Sequence, residues 1–119
     1  MAGKLTTHTL DIHQGRPAGD VLIKLYRLEE NERRILIKTL STNTDGRTDV
    51  PLLGPEEMKV GCYELVFAVG AYFAQAGVAL STPSFLDDVP VRFAVADASL
   101  PYHIPLLFSP WAYSTYRGS

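Results

Sequence analysis

The chain carries one cysteine, no excess of either charge sign and no long unbroken apolar run, and each absence closes off a class of protein. A lone thiol cannot form an internal disulfide, so Cys62, set in the run VGCYELVF, reads as a small core filler. Eleven Lys and Arg against 13 Asp and Glu give a formal net charge of −2. That balance leaves no basic stripe for nucleic acid and no like-charged tail. The longest apolar stretch, 65–80, is interrupted by Gly70, Gln75 and Gly77 and is too short to cross a bilayer, so no membrane partner is expected. The opening MAGKLTTHTLDIH lacks the apolar run of a secretory signal, and the ending RGS is not the Ser-Lys-Leu peroxisomal address. The expected location is the cytoplasm.

What is present is mostly strand. At 119 residues the chain is read as one domain, 1–119, long enough to bury about two-thirds of its unfolded surface. KLTTHTLDIH is rich in β-branched residues and is stopped by QGRPAGD; VLIKLYRLEE alternates and turns at Asn31; RRILIKTLSTN returns toward an Asp-Gly turn in TDGRTD. GCYELVFAV, VRFAVAD, YHIPLLFS and AYSTY complete the set. GAYFAQAG favours one short helix, with Gly77 as its stop, and STPSFLDDVP reads as a loop. Seven or so short strands and one helical excursion point to an antiparallel β-sandwich.

Period-two alternation assigns faces to these strands. In the first, Thr6, His8, Leu10 and Ile12 share one side and Leu5, Thr7, Thr9 and Asp11 the other; neither side is cleanly apolar. In YHIPLLF, Tyr102, Ile104, Leu106 and Phe108 form a core-like face opposite His103, Pro105 and Leu107. Pro105 has no N–H, so its strand must lose a ladder bond there. A titratable, apolar face bearing His8 and His103 is what a groove on the outside of a sheet would look like. His13 reads as a surface loop residue, and the charged run 29–34 as a solvated hairpin tip. The three histidines and one cysteine show no metal-ligand spacing, and there is no Gly-rich phosphate loop or Gly-x-Ser-x-Gly elbow. No metal site is expected.

The segments LTTHTLD, GRPA, TNTDGR, FAVGAYFAQAG, FLDDVPVRFAV and YHIPLLFSPWAYSTYRGS together resemble the 5-hydroxyisourate hydrolases, the enzymatic relatives of transthyretin. The likeness runs through essentially the whole chain. Its most discriminating piece is the terminal Tyr-Arg-Gly-Ser, which the hormone-carrying transthyretins lack. The resemblance implies an all-β, transthyretin-like sandwich of two four-stranded sheets with one short helix. It also implies a homotetramer, a dimer of dimers, in which the outer face with His8, Leu10, His103 and Pro105 lines a channel. It places catalysis on His8, Arg47 and His103, and substrate binding on Tyr116, Arg117, Gly118 and Ser119.

The substrate so implied is 5-hydroxyisourate, opened hydrolytically at its N1–C6 amide. A histidine with an ordinary pKa near 6.5 suits the activation of water, and an always-charged arginine suits a developing oxyanion. Either histidine could be the base, and no metal or organic cofactor is required. The rival reading is a transthyretin-like carrier of an aromatic ligand; a third is a structural module that presents its faces to another protein.

Overall fold

A computed structural model describes residues 3–118, the side chain of Glu32 excepted, and its strands follow the alternation of burial. In β1 (Leu5–Asp11) every odd-numbered residue is buried while Thr6, His8 and Leu10 stay half-exposed. The inward face includes Thr7, Thr9 and Asp11, polar groups that must find partners once water is excluded. They do so at the backbone: the Thr7 hydroxyl donates to Ile104 O at 2.7 Å, and that of Thr9 lies 2.8 Å from Ala18 O. This is why a strand with no apolar face can still be a core strand.

The described residues form eight strands in two sheets of four. After β1 come β2 (Arg16–Pro17), β3 (Leu22–Leu28), β4 (Arg34–Ser41), β5 (Gly61–Ala68), helix α1 (Val69–Gln75), β6 (Asp88–Val95), β7 (Tyr102–Phe108) and β8 (Tyr113–Thr115). One sheet has the order β2-β1-β7-β8, the other β4-β3-β5-β6. Between them lie Ile23 and Leu25 from β3, Leu65 and Phe67 from β5, and Leu106 and Phe108 from β7, all fully buried. Each such side chain contributes about 1.5–3 kcal/mol on burial. The expected sandwich with one short helix is therefore what the chain adopts.

The details depart from expectation in physically readable ways. Ladders are antiparallel except between β1 and β7, which run parallel, Thr6 opposite His103 and His8 opposite Pro105. Parallel neighbours need a long crossover, and here the entire second sheet is that crossover. The two-residue β2, inside the expected loop QGRPAGD, pairs with the end of β1. Strand β6 begins earlier than VRFAVAD and includes Pro90, which an edge strand tolerates because one side of its backbone has no ladder partner. Cys62 corrects the core-filler expectation: Tyr63, Leu65 and Phe67 turn inward, so the period of two turns Cys62 outward, where it is exposed.

Helix α1 ends as the sequence suggests. Gly77 adopts φ +80°, its N–H donates to Ala74 O, and Val78 N donates to Phe73 O at 3.0 Å. These two bonds form a Schellman cap, whose left-handed position glycine fills without strain. The helix also locks the turn after β1. Tyr72 donates its hydroxyl to Asp11 Oδ2 at 2.8 Å, while Asp11 Oδ1 accepts the N–H groups of His13 and Gln14 at 2.9 Å each. Burial, and then the neighbouring carboxylate, push the Tyr72 phenol up to about 12. Tyr72→Phe removes a hydrogen bond to a buried carboxylate and is expected to cost about 1.5–3 kcal/mol. The check is a denaturant midpoint; an unchanged midpoint would contradict this role for the pair.

Candidate functional site

Two registers and one docked loop assemble the site. Because Cα partners in a ladder share a face, Thr6, His8 and Leu10 of β1 lie beside His103, Pro105 and Leu107 of β7 on the outer side of the first sheet. The sandwich core takes the opposite faces of both strands. His8 and His103 are thus brought together by parallel pairing across most of the chain's length.

Arg47 arrives from the loop after β4. Asn43 organises it: Oδ1 accepts the N–H groups of Asp45 at 2.9 Å and Arg47 at 3.2 Å, and Nδ2 donates to Asp49 Oδ1 at 3.0 Å. The loop is then pinned to β1. Thr9 N donates to Gly46 O at 2.8 Å, and His8 Nε2 donates to Asp45 O at 2.9 Å. Gly46 sits at φ +76°, so near β1 that a Cβ would lie 2.3 Å from Thr9 O. Only glycine allows that approach.

The electrostatics follow from this gathering of basic groups. His103 is half-buried, and its pKa is held below 6.5, first by burial and then by the charges of Arg47 and His8. Its Nδ1 lies 2.8 Å from Thr6 Oγ1, and its Nε2 has no hydrogen-bond partner among the described residues. His8 is committed differently. A carbonyl can only accept, so the contact with Asp45 keeps the proton on Nε2 and leaves Nδ1 as the lone-pair nitrogen of the neutral ring. Between Arg47 and His103 opens a cleft of about 540 Å³, with Lys4, Thr6, Thr48 and Pro101 also on its walls. It is large enough for a small heterocycle and offers a basic nitrogen, a fixed cation and hydroxyls.

The chain end approaches the same place. Gly118 N donates to His103 O at 2.7 Å, and a Cβ on Gly118 would lie 2.6 Å from His103 Cδ2. Tyr116 is exposed. Arg117 does not join the histidines: its guanidinium stacks on Tyr102, 4.1 Å from the ring centroid, toward the inner side of the sheet. The position expected of Ser119 lies outside the described residues. Among the described residues no group of three His, Cys, Asp or Glu side chains is placed to hold a metal ion. His13 is exposed, edge-on to Phe73 and Trp111, and lies apart from the cleft. Thr6 and Lys4 were not expected in the site. Thr6 shares a face with His8 in the alternation, but its contact with His103 depends on a register that local sequence does not contain.

Comparison with known proteins gives a consistent picture. A family model described as HIUase/Transthyretin family matches residues 5–118. A protein named 5-hydroxyisourate hydrolase from Ralstonia nicotianae is 56% identical, covering 98% of this chain and 99% of its own. Among solved structures, an (S)-allantoin synthase superposes with a TM-score of 0.91 at 46% identity, over 99% of this chain, which spans 44% of that longer one. Transthyretin from Sparus aurata superposes with a TM-score of 0.85 at 26% identity, covering 97% of this chain and 96% of its own.

The docked loop makes a direct prediction. Gly46→Ala combines a left-handed backbone with a clash against Thr9 O, and is expected to cost about 2–3 kcal/mol. A denaturation midpoint within error of wild type would show that Gly46 is not the contact that seats Arg47.

Proposed function

The chain belongs to the HIUase/transthyretin family, and we propose that it is a 5-hydroxyisourate hydrolase of purine degradation. The observation that carries this reading is the convergence of a half-buried histidine and an arginine on one cleft. A carrier of an apolar ligand has no use for either at that position. The frame shared with transthyretin accounts for the fold; the polar site accounts for the chemistry.

In the reaction, water bound in the cleft gives its proton to His103 Nε2 and attacks C6 of 5-hydroxyisourate. The depressed pKa keeps His103 unprotonated at neutral pH, as a general base requires. The C6 carbonyl becomes an oxyanion, and the guanidinium of Arg47, charged at every relevant pH, stabilises it. Collapse breaks the C6–N1 bond, the imidazolium returns the proton to N1, and the new carboxyl group ionises. The product is 2-oxo-4-hydroxy-4-carboxy-5-ureidoimidazoline. His8 holds the Arg47 loop through Asp45 and presents its remaining nitrogen to the substrate. Substrate contacts from the chain end are assigned to Tyr116, Gly118 and Ser119. Every step is accounted for by these side chains and water, without a metal or organic cofactor.

The assembly that fits this site is a homotetramer, a dimer of dimers, working in the cytoplasm. Strands β6 and β8 are outermost strands of their two sheets, the edges to which a second copy can add. Near one end of the first sheet Ile12, Trp111 and Tyr113 are each exposed, apolar area that another copy would cover. No helix of the described residues is long and apolar enough to cross a membrane.

The test follows ultraviolet absorbance of freshly generated 5-hydroxyisourate. Wild type is expected to speed its decay by orders of magnitude, and His103→Asn to fall back by about a thousandfold or more. The acid limb of kcat/KM is expected below pH 6.5, the ordinary value for histidine, because the free-enzyme base has a lowered pKa. Decay at the spontaneous rate with wild type present would leave ligand carriage in the channel as the function.

A further inference from the structure

The last described residues continue a ladder that Pro105 interrupts. Leu106 pairs with Thr115, and His103 with Gly118, which keeps the antiparallel register across the gap. In that register Pro105 stands opposite Tyr116 and has no N–H to offer. Thr115 bridges the gap by donating its hydroxyl to Pro105 O at 2.7 Å, and Gly118 N resumes the ladder at His103 O. The segment between these contacts, Tyr116 and Arg117, has no strand hydrogen bonds of its own to hold it.

Alternation assigns the two side chains of that segment to opposite faces. Tyr116 and Gly118 fall on the face of His103, and Arg117 falls on the face of Tyr102. There the guanidinium covers the Tyr102 ring, and Nη2 reaches Pro101 O at 3.5 Å. Tyr102 is a firm platform: it is buried, and its hydroxyl accepts the N–H groups of Ala96 at 3.0 Å and Asp97 at 3.2 Å. It is also the residue immediately before His103.

We propose that Arg117 is a positioning residue for the hydrolysis: stacked on Tyr102, it clamps the chain end so that Gly118 packs against the His103 imidazole. Its guanidinium does not bind substrate. This rests on the hydrolase reading for its kinetic consequence, though not for the clamp itself. A cation over an aromatic face is attracted to it, and here that attraction substitutes for the ladder bond that Pro105 removes. The bare Gly118 backbone then lies against one edge of the imidazole. The groups facing His103 from other elements are Lys4, Thr6 and His8 at and before β1, and Arg47 and Asp49 of the loop. Arg117 instead contacts Tyr102 and Pro101. Releasing the clamp should therefore alter the solvation of His103 while leaving the charges around it in place.

The experiment compares Arg117→Met, which keeps an apolar stem and loses the cation, with Arg117→Lys, which restores a cation. Steady-state kinetics on 5-hydroxyisourate, the acid limb of the pH profile and amide exchange at Gly118 are measured for both. For Arg117→Met, kcat is expected to fall on the order of tenfold with KM little changed. The acid limb should move up toward the ordinary histidine value as the ring regains water, and Gly118 should exchange on the order of tenfold faster. Arg117→Lys should recover part of each effect. A rise in KM with Gly118 exchange and the acid limb unmoved would make Arg117 a substrate ligand and overturn the proposal. No change in any readout would overturn it equally. If wild type fails to hydrolyse 5-hydroxyisourate, the functional reading falls, and Gly118 exchange still decides whether the clamp exists.

Discussion

The parallel ladder between β1 and β7 is the pairing on which the site depends. It sets Thr6 opposite His103 and His8 opposite Pro105, so that two histidines almost a chain length apart share one outward face. A slip of one residue would turn His103 into the core and expose Tyr102 or Ile104. The register is held by what lies beneath it. Leu5, Ile104, Leu106 and Phe108 are buried on the inner face, and the Thr7 and Thr9 hydroxyls are satisfied there by backbone carbonyls. Core packing and the placement of His8 and His103 are in this sense one constraint.

The outer face then acquires its chemistry from three basic groups, with no carboxylate bonded to either histidine among the described residues. Burial and like charge both disfavour protonation of His103, and the consequence reaches stability as well as catalysis. A histidine whose folded pKa is depressed contributes stability that is fully present above the unfolded pKa and is lost as pH falls through the lower folded value. The fold should accordingly weaken from about pH 6.5 downward, over the range in which the base is also lost.

Much of this was legible in the residues. The alternation in YHIPLLF separated Tyr102, Ile104, Leu106 and Phe108 from His103 and Pro105, and Gly77 marked the end of α1, as the structure has them. Local pattern could not supply the parallel sense of β1 and β7, because direction in a sheet is set by topology and leaves no mark on a strand of seven residues. Cys62 shows the opposite failure: an apolar neighbourhood suggested burial, while the strand's own period placed the thiol outside. Arg117 stands between Tyr116 and Gly118 in the chain, yet alternation sends it to the other side of the sheet. Periodicity could not bring Arg47 to this face either: its loop is docked on β1 by the Thr9–Gly46 and His8–Asp45 bonds, a contact that local pattern does not contain.

The most direct test of this account is a pH titration of the two imidazoles by NMR, with histidine labelled at its ring nitrogens. The account predicts that His103 titrates below 6.5, and that Nε2 of neutral His8 carries the proton donated to Asp45 O. Removal of Arg47 should move the His103 midpoint upward. A His103 that protonates at or above the ordinary value, with no response to Arg47, would contradict the claim that this cleft keeps its base neutral.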